Sequence, residues 1–102
     1  MTHFYLMQRA NGELLTETID NNRTVPIWPD FQSLQKFKVF NPSLSIFLPK
    51  LIDSRTMGKL KGLEKQGAKF SLMSTEEHSP DLNDGLPITV DKLEESARPA
   101  AA

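Results

Sequence analysis

Two histidines, His3 and His78, are the first residues to weigh for chemistry, and their neighbours decide what each could do. His78 lies in "TEEHSPDLNDG" with Glu76, Glu77, Asp81 and Asp84, an oxygen-rich run that raises the question of a metal. A calcium loop of the EF-hand kind needs carboxylates at regular positions and a closing glutamate, and this run has neither. A zinc site needs three or four converging ligands, and His3 is far away, at the start of the chain. The run reads as a solvated acidic loop, and no metal or other cofactor is expected. The chain has no cysteine, which removes disulfides, thiolate ligands and cysteine nucleophiles. No serine occupies a G-x-S-x-G elbow, and neither histidine has a nucleophile at a recognisable spacing. "GKLKG" lacks the glycine frame of a phosphate-binding loop. No catalytic residue emerges, and the expectation is a protein that is not an enzyme.

Binding chemistry leaves two candidates. One is aromatic: Trp28, the single tryptophan, set between Pro26 and Pro29, together with Phe40 and Phe47. Tryptophan is enriched at interface hot spots, yet a lone tryptophan in a small protein is more often core. Trp28 is therefore either an anchor for a partner or the plug of a strand-to-helix corner. The other candidate is basic. Residues 31–70 carry eight lysines and arginines against Asp53 and Glu64, whereas residues 1–30 and 71–102 are acidic. Arg55 and Lys59, and again Lys61 and Lys65, stand four apart, the spacing that puts two charges on one helix face for phosphate contact. Phe70 is the only aromatic residue after position 47, so bases would have nothing to stack on. With a net charge of −1, the basic middle also reads as the neutralising partner of two acidic ends. Nucleic acid is not the expected partner.

These candidates must be held by a small frame. At 102 residues the chain is expected to be one domain, residues 1–95, with a flexible tail at 96–102. "THFYLMQRA" and "ELLTETI" flank Asn11-Gly12, a strong hairpin signal, and suggest a first hairpin of residues 3–10 and 13–19. "DNNR" is the next turn, and "TVPIW" a short third strand. Pro26 cannot donate to a ladder and belongs at an edge or in an unpaired register. Asp30 suits the N-cap of a helix with Phe31, Leu34 and Phe37 on its inner side, ended by Pro42.

"LSIFL", between Pro42 and Pro49, reads as a fourth strand. A second helix runs from about Ser54 to Gln66 with Met57, Leu60 and Leu63 as its stripe and Gly67 after its end. Gly58 and Gly62 share a face of it, either to admit another backbone or with no packing role. "AKFSLMS" is a fifth strand, "LPITV" a last short one, and "DKLEES" a helical turn with Val90 and Leu93 inward. The order β-β-β-α-β-α-β implies an α+β fold, a mostly antiparallel sheet of about five strands with both helices on one face.

The runs "VPIWPDFQSLQKFK", "LSIFLPKLIDSRTMGKLKGLEKQGAKFSLM" and "DLNDGLPITVDKLEE" resemble a group of small bacterial α+β domains of uncharacterised function. More distantly, they resemble the N-terminal part of the SseB (enhanced serine sensitivity protein B) group. There too a valine-proline-valine-aromatic stretch precedes a helix. The resemblance covers about residues 3–95 and implies an α+β domain. It transfers no catalytic residue.

Two functions follow from this reading. The first is a protein-binding adaptor or regulatory module, meeting another protein or a second copy of itself as a homodimer through Trp28, Phe40 and Phe47. The second is an anion-binding module, for nucleic acid or a phosphorylated ligand, using Arg55, Lys59, Lys61 and Lys65. The opening "MTHFYLMQRANGE" lacks the basic-then-apolar pattern of a signal peptide, and no apolar run reaches the ~20 residues that span a bilayer. A cytoplasmic protein that does not engage membranes is expected.

Overall fold

Asp20 and Asn21 both adopt positive φ, 51° and 66°, which is what a two-residue hairpin turn of type I′ requires. Around them β2 (Glu17–Ile19) pairs antiparallel with β3 (Asn22–Ile27). The computed structural model describes residues 3–73 and 85–97; the acidic run with His78 and the tail beyond Ala97 lie outside the described residues. The remaining strands are β1 (Tyr5–Gln8), β4 (Leu48–Leu51), β5 (Lys69–Leu72) and β6 (Leu86–Pro87). The helices are α1 (Phe31–Phe40), α2 (Ser54–Lys65) and α3 (Val90–Ala97), with a short 3₁₀ turn at Pro42–Leu44. The chain is an α+β fold, as its element order implies. Among the described residues no helix is long and apolar enough to cross a membrane.

The expected single sheet is divided. One ladder has the order β2-β3-β5-β6, with β3 and β5 parallel, and a second consists of β1 and β4. They join where Tyr5 exchanges both backbone bonds with Trp28, each 2.8 Å. This junction also corrects the first hairpin. The edge of β1 facing the returning chain is shared: Tyr5 bonds Trp28, so only Met7 and Arg9 remain to bond Leu15 and Glu13. The arm after Asn11-Gly12 thus pairs briefly and moves on to β3.

Of the two placements expected for Pro26, an edge or an unpaired register, the structure takes the second, for β3 lies between β2 and β5. Pro26 is tolerated by register. Ile27 O accepts from Met73 N, so the odd-numbered residues of β3 face β5 and the nitrogen of Pro26 points to the other edge. There β2 pairs as far as Thr24 and β1 resumes at Trp28, leaving Pro26 opposite neither.

The fourth strand is displaced as well. "LSIFL" becomes the 3₁₀ turn and a bend, and β4 starts at Leu48 and contains Pro49. Ile52 N donates to Phe4 O, which sets the phase of the β1–β4 ladder and makes Met7–Pro49 a pair without hydrogen bonds. The proline nitrogen therefore faces the other edge of β4, which no strand among the described residues pairs and where no donor is required.

The helices do not share a face. Val25, Ile27, Phe70, Phe4 and Leu6 pack with Met57 and Leu60 of α2 and Val90 and Leu93 of α3. On the opposite side Met7, Leu15, Trp28 and Met73 pack with Leu34 and Phe37 of α1. The cause lies in β1, whose residues are apolar in both phases: Phe4 and Leu6 toward one side, Tyr5 and Met7 toward the other. A strand of that kind must be covered on both faces.

Candidate functional site

α1 is fixed at both ends by side chains of its own neighbourhood. Asp30 Oδ1 accepts from Ser33 N at 2.7 Å, and Asn41 Nδ2 donates to Phe37 O at 3.0 Å. Between these caps the helix turns Leu34 and Phe37 into the core, leaving Phe31 half-exposed with its ring edge-on to Tyr5 at 5.9 Å.

The aromatic candidates separate by burial. Trp28 is 1% exposed, its ring 5.2 Å from that of Phe37 and inclined at 61°. It is the plug at the corner between β3 and α1, and the reading of Trp28 as a surface anchor is corrected on that ground. Alternation along β3 accounts for it, because Val25 and Ile27 face the α2 side and Trp28 the α1 side. Phe47 is half-buried against the same core, with the Arg9 guanidinium carbon 5.4 Å from its ring centroid. Phe40 is 56% exposed.

Phe40 does not stand alone. With Gln35, Lys36 and Val39 it lines a shallow depression of about 350 Å³ on the outer face of α1. Val39 is 75% exposed, and Ile46, in the bend after the 3₁₀ turn, is 56% exposed. Val39 and Ile46 were missed in the sequence reading although a signal existed. At 100° per residue Val39 falls opposite the Leu34–Phe37 stripe, an apolar residue out of phase with its own helix, whereas Phe40, three residues after Phe37, continues the stripe and is exposed at the end of the helix.

The basic candidates do not converge. Lys59 Nζ donates to Gly12 O, and Lys61 Nζ pairs with Glu94 Oε1 at 2.8 Å, fastening α2 to the 9–13 turn and to α3. Arg55 and Lys65 remain, at opposite ends of α2 and about 15 Å apart along its axis. Gly58 and Gly62 meet nothing among the described residues: a Cβ at either would find no described atom within 4 Å, so no described backbone approaches there. Gly67 does what its position implies. Its φ of +94° closes the helix, with Gly67 N donating to Glu64 O and Ala68 N to Leu63 O.

A larger cleft of about 660 Å³ lies where the β2–β3 turn, the end of α2 and β5 meet. Its charged residues, Asp20, Glu64 and Lys69, are of mixed sign. Among the described residues no three His, Asp or Glu side chains gather as metal ligands. Asp53 is the N-cap of α2, and the bond it accepts from Thr56 N, 2.8 Å, holds its carboxyl below the ordinary value of 3.8, with Lys50 helping. That shift has a structural cause, a helix cap. No protein-family model matches this chain, and no curated protein matches it.

Proposed function

We propose that the chain is a non-enzymatic protein-binding module that docks its partner on the outer face of α1 and the bend that follows it. The observation that supports this reading is the exposure of Val39, Phe40 and Ile46 beside a core that already holds Trp28, Leu34 and Phe37. Large apolar side chains gathered on one exposed stretch are the usual mark of an interaction surface. Phe40 keeps the anchor role given to it from the sequence, and Val39 and Ile46 replace Trp28 and Phe47. A cytoplasmic setting and the likeness to the SseB group belong to the same proposal and supply no residue roles. Anion binding has no observation in its favour, since Lys59 and Lys61 serve contacts within the fold.

The test is cross-linked capture from cells with wild type, Val39→Asp and Ile46→Asp, each checked for melting temperature. A specific partner held by wild type and lost from both variants at unchanged melting supports the proposal. Identical capture by all three overturns it.

A further inference from the structure

Asn11 is the one asparagine of the chain that is followed by glycine. An asparagine carboxamide is open to attack by the backbone nitrogen of the next residue, and a glycine there puts no side chain in the way. Asn11 is exposed, and its Oδ1 accepts from Glu13 N at 2.9 Å. That bond draws electron density from Cγ, the atom to be attacked, and ties the carboxamide to the backbone next to Gly12. Two contacts act the other way. Gly12 N, the attacking atom, donates its proton to Arg9 O at 2.8 Å, and Lys59 Nζ of α2 donates to Gly12 O. From these contacts we infer that Asn11 is a deamidation site latched by its own turn: it reacts when the turn opens, and Lys59 holds the turn shut.

The reaction balances with water alone. Gly12 N gives its proton to solvent base and bonds to Cγ, the Cγ–Nδ2 bond breaks, and Nδ2 leaves as ammonia with a proton from water. Water then adds to a carbonyl carbon of the cyclic imide and breaks its bond to Gly12 N. Addition at Cγ leaves aspartate at position 11, and addition at the main-chain carbonyl leaves isoaspartate. Removal of the proton is the step the turn opposes, because an amide proton held by Arg9 O meets base only when that bond opens. Isoaspartate lengthens the main chain by a carbon atom, so the 9–12 turn no longer closes in the same geometry and Gly12 O is withdrawn from Lys59. The modification thereby unfastens α2 from the turn. The other described asparagines are less suited. Asn21 and Asn22 precede residues with side chains, and Asn41 precedes Pro42, whose nitrogen has no proton to give.

The experiment incubates the full chain at mildly alkaline pH and follows Asn11 by peptide mapping with mass spectrometry, which separates aspartate from isoaspartate. Wild type is compared folded and in guanidinium chloride, and folded wild type with Lys59→Met and Lys61→Met. Lys61→Met is the control, since it frees α2 from Glu94 without touching the turn. The expected result is that Asn11 converts at least about ten-fold faster in denaturant than in the folded chain. Lys59→Met should convert about two- to five-fold faster than wild type, the worth of one surface contact, and Lys61→Met at the wild-type rate. Equal rates folded and unfolded overturn the latch. So does a slower rate in Lys59→Met, which would make Lys59 a promoter of the reaction, or an equal acceleration by both lysine variants, which would trace the effect to global stability. An Asn11 that stays intact in denaturant overturns the site itself.

Discussion

Helices α1 and α2 start from the same device, an aspartate whose Oδ1 accepts the backbone N–H three residues on, at 2.7 Å from Asp30 and 2.8 Å from Asp53. They meet solvent differently. α2 packs on the sheet side by side with α3, so Met57 and Leu60 are consumed by the core, and the outer side carries charges and two glycines that meet no described atom. Among the described residues α1 is the one helix on its side of the sheet, and it keeps Val39 and Phe40 outside. A helix whose apolar residues exceed what its own core accepts has a surface to offer, whereas one with none left over is a structural element. The contrast explains why Lys59 and Lys61 of α2 act as fasteners and why the functional proposal rests on α1.

The largest expected effect tests whether each helix guards a real core. Trp28→Ala on the α1 side should cost about 3–5 kcal/mol and Leu60→Ala on the α2 side about 2–5 kcal/mol, measured by urea denaturation. If Trp28→Ala left stability intact, the plug assignment would fail. Next comes the end of α2: Gly67→Ala places a side chain at φ +94° and should cost about 1–2 kcal/mol in the same assay.

The caps should then prove equivalent, with Asp30→Ala and Asp53→Ala each losing about 1 kcal/mol. Asp53 adds a pH signature. Its carboxyl is depressed in the folded chain by the Thr56 N–H, so the stability it contributes is full above the unfolded value, about 4, and disappears as pH falls through the lowered folded value. Asp53→Asn, which keeps a cap oxygen but does not titrate, should flatten that part of the acid-unfolding curve.

Smaller still, Gly58→Ala and Gly62→Ala should each stabilise the fold by about 0.5–1 kcal/mol, because the added methyl meets open space and favours the helix. A loss instead would reveal a contact on the outer face of α2. The smallest effect is assigned to the surface of interest. Val39→Asp should change stability by no more than about 0.5 kcal/mol, and a larger loss would mean that Val39 belongs to the core rather than to a partner.

Much of this frame was legible because its causes are local. Asp30 and Asp53 as caps, Gly67 as a helix stop and Val90 with Leu93 as an inward pair follow from capping chemistry and the 3.6-residue period. The α+β order followed from the same signals. What failed to follow was everything that depends on which edge pairs with which. "LSIFL" has strand composition, but the strand lies four residues later, where Phe4, Leu6 and Gln8 provide a ladder. β3 carries a proline and still lies inside the sheet, because a gap between two neighbours on one edge falls opposite it. That both faces of the sheet are covered was readable in principle from "FYLM", apolar in both phases, and was missed by counting helices without asking what β1 needs. The candidate site was less legible. Phe40 was found by type alone, and Val39 by neither type nor phase, although its phase was the signal.

The sequence by itself determined where helices begin and end, that the chain mixes helices with strands, and that familiar catalytic motifs are absent. These depend on residues within a few positions of one another. Only the tertiary structure decided that Trp28 is buried, that Lys59 and Lys61 are engaged, and that Val39, Phe40 and Ile46 stay outside. Exposure is a property of what the rest of the chain covers, and that is fixed only when β1 takes β4 on one edge and shares the other between Trp28 and the returning arm.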